Sequence, residues 1–194
     1  MSRFLAAVLA LGLSTPAFAA KYEIDAVHSQ VGFSVSHMMV STARGVFKDV
    51  AGTVDYDAAK IADMKVEAHI QVASVDTNNA DRDGHLVSPD FFDAAKFPEI
   101  TFVSTGVRKA SSKGFQLLGN LTIKGVTKPV VLEVGPISAE YKDPWGNTKV
   151  GTSAKVVVNR QDFGVSWNKS LDAGGVIVGD EVTITLDLEL VKKG

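Results

Sequence analysis

The sequence contains no cysteine. This absence excludes disulfide bonds, thiol catalysis and cysteine-ligated metal sites or clusters. An excess of positive charge is lacking too, because the sequence has 20 Lys and Arg residues against 22 Asp and Glu residues, and no basic cluster stands out. Nucleic acid is therefore excluded as an expected partner, and so is an anionic membrane surface bound by charge alone.

A hydrophobic run long enough to span a bilayer is also missing. The longest apolar run, residues 4–13, is well short of the roughly 20 residues that a transmembrane helix needs. It follows the basic residue Arg3 and precedes the small-residue pattern Ala17-Phe18-Ala19, an arrangement typical of a secretory signal peptide. We therefore predict that residues 1–19 are a signal peptide cleaved after Ala19, and that residues 20–194 form one domain exported to the periplasm.

Alternation of apolar and polar residues dominates the rest of the chain. Val31, Phe33 and Val35 fall on one face of a predicted strand, since successive side chains of a strand point to opposite sides. Two longer segments, residues 64–72 and 182–190, repeat this pattern with five apolar residues each on one face. A slip of one residue would put five aliphatic side chains into water, so the register of both strands is firmly set.

Further strand candidates cover residues 52–55, 100–108, 115–123, 129–134 and 149–159. Only the stretch from Asn79 to Phe97 breaks the alternation, and there we predict one or two short helices, one of them starting at Ser88-Pro89-Asp90. About eight mostly antiparallel strands indicate an all-β fold, either a sandwich or a closed barrel. The interior of an eight-stranded barrel is either filled by side chains or holds one small ligand.

Several stretches are similar, in order and spacing, to the YceI-like family of bacterial secreted lipid- or polyisoprenoid-binding proteins. The similarity runs from about Tyr22 to Leu190. The matching stretches are Tyr22-x-Ile24-Asp25-x-x-His28-Ser29-x-Val31-x-Phe33, Ser36-His37-Met38, Gly45-Val46-Phe47, Asp81-Arg82-Asp83-x-His85-Leu86, Asp90-Phe91-Phe92-Asp93, Phe97-Pro98-x-Ile100-x-Phe102, Gly119-x-Leu121-Thr122-Ile123-Lys124-Gly125-Val126-Thr127-Lys128-Pro129-Val130 and Asn159-Arg160-x-Asp162-Phe163-Gly164.

This resemblance implies a single eight-stranded, antiparallel, lipocalin-like β-barrel. It also implies an elongated apolar pocket that takes a long isoprenoid, such as a prenyl quinone or polyprenol, or an acyl chain. The implied activity is binding rather than catalysis, with the lipid as ligand and no cofactor.

Aromatic, methionine and aliphatic residues are the candidate pocket lining, because flexible thioethers and flat rings conform to flexible apolar chains. Each of them taken singly also fits ordinary core packing. The candidate ligand-binding residues are Val31, Phe33, Val35, His37, Met38, Met39, Phe47, Phe91, Phe92, Phe97, Phe102, Phe115, Leu121, Phe163 and Trp167.

Four histidines are the only imidazoles of the chain, and they form no HExxH motif or closely spaced pair, so no metal site is expected. His69 lies on the polar face of its strand and is expected in solvent. His37 is expected to make a polar contact near the ligand. Asp81-Arg82-Asp83 is predicted to be a charged helix surface with a local ion pair, and Arg160-x-Asp162 an ion-paired strand end.

Two other functions stay open at this point. The first is a periplasmic enzyme acting on an isoprenoid or lipid, with His37 or His85 as the base. The second is a partner-binding barrel whose interior is filled by side chains. The sequence also leaves open whether the protein forms a homodimer.

Overall fold

The computed structural model describes residues 19–172 and 174–194, so the predicted signal peptide lies outside the described residues except for Ala19. Twelve strands and one α-helix make up the described part. In chain order these are β1 (Ala20–Ile24), β2 (Gln30–His37), β3 (Ser41–Phe47), β4 (Val50–Tyr56), β5 (Lys65–Gln71), β6 (Val75–Asp76), α1 (Ala80–Val87), β7 (Glu99–Ser111), β8 (Gly114–Ile123), β9 (Val126–Val134), β10 (Tyr141–Lys142), β11 (Thr148–Asn159) and β12 (Val178–Lys192). Single 3-10 turns cover Ile61–Asp63, Val72–Ser74 and Arg160–Phe163.

Eight of these strands form a closed antiparallel ring. Its order is β11-β9-β8-β7-β5-β4-β1-β12, and the pairing of β11 with β12 closes it. Closure removes the exposed strand edges at which an open sheet would pair with other chains. The predicted all-β, eight-stranded antiparallel barrel is therefore confirmed.

One wall of the barrel is taller than the rest, because β12 runs for 15 residues. The side of β12 that faces away from β11 pairs with β1 near Leu190 and with β2 from Val178 to Asp187. Strand β2 continues through a hairpin into β3, whose last residues pair with β6. Strands β2, β3 and β6 thus extend the wall beyond the ring, and α1 follows β6 along the chain.

The apolar rows predicted from alternation face the interior. In β5, Val66, Ala68 and Ile70 line the inside of the barrel, while His69 lies outside between Glu67 and Glu99, with ring nitrogens 3.3 and 3.4 Å from their carboxylates. In β12 the row from Val182 to Leu190 likewise lines the interior. Both predicted registers are therefore confirmed.

The described residues contain one α-helix, α1, which lies within the stretch from Asn79 to Phe97 where one or two short helices were predicted. The Asn79 side chain accepts a hydrogen bond from the Arg82 amide at 2.9 Å and so caps the first turn. The amide and hydroxyl of Ser88 both donate to the carbonyl of His85, which ends the helix. The prediction that Ser88-Pro89-Asp90 starts a helix is wrong, because Ser88 hydrogen-bonds backwards. In the described residues no helix is long and apolar enough to cross a membrane.

Candidate functional site

Two adjoining chambers occupy the interior of the barrel. The outer chamber, at the tall end, has a volume of about 270 Å³, and the inner chamber about 130 Å³. Phe33, Phe47, Ile100 and Ile184 line both chambers and mark where they meet. Together the two volumes exceed the roughly 300 Å³ at which small-molecule pockets begin. The interior is therefore not filled by side chains alone.

The inner chamber is lined by the inward rows of the strands. No charged side chain lines it, and Thr152 supplies its only hydroxyl-bearing side chain. Phe102, Phe115 and Leu121 from β7 and β8 face Leu186 of β12 across this space. A polar ligand group in this chamber would lose its hydration and find no charged side chain to replace the water. The chamber therefore suits hydrocarbon only.

Aromatic side chains shape the outer chamber from two directions. On one side the ring of Phe47 lies 5.6 Å from that of Phe33 and 5.8 Å from that of Phe92. These separations are typical of favourable tilted and edge-to-face ring pairs. The Phe33–Phe47 pair lines both chambers and so lies at the boundary between them.

A second aromatic group covers the outer chamber next to α1. The His85 ring makes edge contacts with Phe91 and Trp167, with centroids 4.9 and 5.0 Å away. His85 Nε2 lies 2.9 Å from the Asp90 carboxylate. The helix and the turn after it thus hold a histidine in the aromatic wall of the chamber.

The titratable side chains that line the outer chamber are three arginines and two histidines. They are Arg44, Arg82, Arg160, His37 and His85, and no carboxylate lines the chamber. The guanidiniums of Arg82 and Arg160 already donate to protein oxygens, and most of the surface that the chamber exposes is apolar.

Arg160 fastens the segment before β12 to the barrel. It is only 5% exposed, and its guanidinium donates to the carbonyls of Val165 at 2.6 Å, Trp167 at 2.9 Å and Gly179 at 2.8 Å. Burial lowers the pKa of Arg160 below its ordinary value. Its carboxylate partner is Asp180 at 3.4 Å rather than Asp162, so the predicted strand-end ion pair within Arg160-x-Asp162 is wrong. Arg160 instead positions the loop that carries Trp167.

The Asp81-Arg82-Asp83 stretch also differs from the prediction. Arg82 donates to the hydroxyl and carbonyl of Thr77, both at 2.7 Å, and Asp83 accepts from the amide and hydroxyl of Thr77 at 2.9 and 2.5 Å. Arg82 and Asp83 therefore both hydrogen-bond to the buried Thr77 and do not form the predicted local ion pair. These bonds dock the start of α1 beside the outer chamber.

Twelve of the fifteen predicted site residues line the chambers. Val31, Phe102, Phe115 and Leu121 line the inner one, and Phe33 and Phe47 line both. The remaining six line the outer one: Val35, His37, Phe91, Phe92, Phe163 and Trp167.

Met38, Met39 and Phe97 lie on neither chamber wall. The inward alternation of β2 ends at His37, and Met38 and Met39 form the turn to β3, where they are exposed. Phe97 packs instead against Gly125 in the β8–β9 turn, where a β-carbon would come within 2.5 Å of its ring. Ligand contacts by these three residues stay predictions that the cavity geometry does not support.

Several lining residues were not among the candidates. Val182 and Ile184 belong to the inward row of β12, whose alternation was visible in the sequence but was assigned to the core. Val165 and Ile177 come from the irregular segment that Arg160 holds, and no periodicity marks them.

A separate polar cluster lies at the other end of β2. Single ligand atoms of Asp25, His28 and Glu189 lie within 4.8 Å of one another, a spacing that suits a cation. The ammonium of Lys149 already supplies this positive charge, 2.9 Å from Asp25 and 2.5 Å from Glu189. Hydrogen bonds from His28 and Lys149 hold the pKa of Asp25 well below its usual range. This cluster ties β1, β11 and β12 together.

The sequence profile of the YceI-like domain matches residues 22–190. The chain belongs to the YceI-like domain family. A UPF0312 protein of Pseudomonas savastanoi pv. phaseolicola is 42% identical over 165 residues, which cover 82% of this chain and 85% of that protein. The predicted family membership is therefore confirmed.

Solved structures show the same YceI-like barrel. BcnA of Burkholderia cenocepacia superposes with a TM-score of 0.75 at 28% identity, covering 86% of this chain and 98% of that one. A polyisoprenoid-binding domain from Saccharophagus degradans superposes with a TM-score of 0.64, covering 90% of this chain and 99% of that domain. At 15% identity this second likeness concerns the fold alone.

Proposed function

We propose that this protein is a periplasmic binding protein that sequesters the chain of an isoprenoid, such as a prenyl quinone or polyprenol, or of an acyl lipid. The observation that carries the proposal is the inner chamber, which is buried in the barrel and has no charged lining. The fold is shared with a polyisoprenoid-binding domain, which makes isoprenoids the first ligand class to test. The periplasmic location rests on the predicted signal peptide.

The chamber volumes limit how much chain is buried. A methylene group occupies about the volume of a water molecule in the liquid, about 30 Å³. The outer chamber therefore holds about nine carbons and the inner one about four, or two to three isoprene units in all. The remainder of a longer chain would extend through the mouth or widen the chambers.

Burial of this much chain is sufficient for affinity without a polar anchor. Each buried methylene contributes about 0.8 kcal/mol, so a five-carbon isoprene unit contributes roughly 3 to 4 kcal/mol before the costs of association. Basic groups at the outer chamber would then choose among head groups rather than supply most of the affinity.

Catalysis is the less supported alternative. His85 is paired with Asp90, an arrangement that could orient a base. Yet its ring is held edge-on by Phe91 and Trp167 as part of the chamber wall. His37, the other proposed base, lines the same chamber. We therefore favour binding without bond making or breaking.

Trp167 offers a direct test, since it lines the outer chamber while the other tryptophan, Trp145, is exposed. In a Trp145→Phe variant, addition of geraniol, geranylgeraniol or a prenyl quinone should give a saturable change in Trp167 fluorescence. Native mass spectrometry of the purified protein should show the corresponding mass increase. Absence of saturable binding for isoprenoids and for fatty acids alike would reject the proposal.

A further inference from the structure

The turn between β2 and β3 exposes three consecutive large apolar side chains. Met39 is 69% and Val40 is 85% exposed, and Met38 beside them is exposed as well. Val176, from the loop before β12, is also exposed. No other three consecutive large apolar residues are exposed in the part of the chain that the structure describes. We call Met38, Met39, Val40 and Val176 the apical tip.

The backbone of the tip is unusual for these residue types. Met38 and Met39 have φ values of 50° and 60°, and the Val40 amide donates to the His37 carbonyl at 3.2 Å. Positive φ at both central residues is typical of a hairpin turn in which Asn-Gly is the favoured pair. Two methionines here add backbone strain while burying little apolar surface in return. The two methionines thus adopt an unfavourable backbone conformation without stabilising the fold, which points to a function at the solvent-exposed surface.

The tip is continuous with the mouth of the outer chamber. The Met38 amide donates to the Ile177 carbonyl at 2.7 Å, and Met39 packs over Gly175. His37 and Ile177, the neighbours of the tip in each segment, both line the outer chamber. The two segments that carry the tip therefore also form part of the wall of the outer chamber.

We propose that the apical tip inserts shallowly into a phospholipid bilayer and so brings the chamber mouth to the surface from which an apolar ligand is loaded. This inference rests on the proposed function, because an isoprenoid with many carbons partitions into bilayers rather than water. A stable protein interface needs about 800 Å² per partner, which a four-residue tip does not offer. A bilayer requires no matching shape and accepts a narrow apolar projection.

Insertion of this kind is driven by apolar burial rather than by charge. The chain has a formal net charge of −2, so anionic lipid should not strengthen attachment. We therefore expect vesicles of phosphatidylcholine alone to bind as well as vesicles that also contain phosphatidylglycerol.

Vesicle flotation with a double variant, Met39→Asp and Val40→Asp, tests the inference. The matched control is Val27→Asp, because Val27 is 86% exposed at the opposite end of β2. The tip variant should lower the vesicle-bound fraction by at least about tenfold, since each lost side chain forfeits much of its burial. Val27→Asp should float like the unaltered protein.

Geraniol binding in water, read from Trp167 fluorescence, separates this inference from the proposed function. The tip variant should bind geraniol as the unaltered protein does. If the unaltered protein binds geraniol but ignores vesicles, or if the tip variant floats normally, the docking inference is overturned while the proposed function stands. A tip variant that instead changes the sedimentation coefficient would assign the tip to a second copy and overturn membrane docking.

Discussion

Enlarging one side chain inside the inner chamber should raise stability and weaken the binding of long chains at the same time. Ala68 of β5 lines this chamber, so Ala68→Leu adds three carbons to a space of about 130 Å³. At about 30 Å³ per carbon the added atoms take up most of that volume. The substitution thus fills space that we assign to the ligand tail.

Opposite effects on stability and affinity follow from the same burial energy. Three buried carbons at about 0.8 kcal/mol each should raise the unfolding free energy by about 2 kcal/mol. A ligand tail displaced from the same volume loses about 2 kcal/mol, a decrease in affinity of about thirtyfold. Geraniol, with ten carbons, nearly fits the outer chamber alone and should bind almost as before. Geranylgeraniol, with twenty, should show the loss.

Urea unfolding and Trp167 fluorescence titrations measure the two quantities. The control is Ala51→Leu, because Ala51 lies opposite His69 on the outer face of β4 and is exposed. It should change neither quantity. If Ala68→Leu destabilises the protein by 1 to 3 kcal/mol, the region is tightly packed core rather than a ligand chamber. Equal affinities for geranylgeraniol in both variants would equally refute the reasoning.

Arg160→Met should lower the unfolding free energy measured in urea by about 3 kcal/mol, because it leaves buried carbonyls of the Trp167 loop unpaired at about 1 to 3 kcal/mol each. Asp25→Asn should lower the unfolding free energy at pH 7. It should also make that free energy fall less steeply as the pH becomes acidic. The folded-state pKa of Asp25 is depressed, so its contribution is complete above its ordinary value of 3.8 and is lost as the pH falls below that value through the folded one. Gly45→Val should lower both melting temperature and isoprenoid affinity, since a β-carbon there comes within 2.5 Å of the Phe33 ring.

Each of these three predictions has an outcome that would contradict it. Full stability of Arg160→Met would mean that water replaces the guanidinium without cost. Asp187→Asn, which removes an exposed carboxylate, is the comparison for Asp25→Asn. If Asp25→Asn leaves the acid dependence of stability unchanged, the cluster around Lys149 does not contribute to that dependence. Unaltered affinity in Gly45→Val would show that the Phe33 ring does not set the width of the chamber.

The strands and much of the cavity wall were predictable because alternation is a local property. The rows ending at Ile70 and Leu190 face inward as their two-residue period requires. Whether those rows leave empty space was not predictable, since it depends on how opposite walls pack. The period also stops at His37, so it could not place Met38.

The role of Arg160 was beyond local reasoning for a different reason. Its acceptors include carbonyls of residues up to 19 positions later, and a carbonyl carries no signal of residue type. The neighbouring Asp162 offered an obvious partner in the sequence. The folded chain instead buries Arg160 under the segment that carries Trp167 and pairs it with Asp180.

Intermolecular NOEs between bound geranylgeraniol and the methyl groups of Leu117 and Leu121 test most directly whether the chain enters the barrel. Both side chains are buried and line the inner chamber. We predict cross-peaks from the terminal isoprene unit to these methyl groups, and their loss in Ala68→Leu. Saturable binding without such cross-peaks, or cross-peaks confined to exposed residues of the barrel surface, would contradict burial of the ligand in the two chambers.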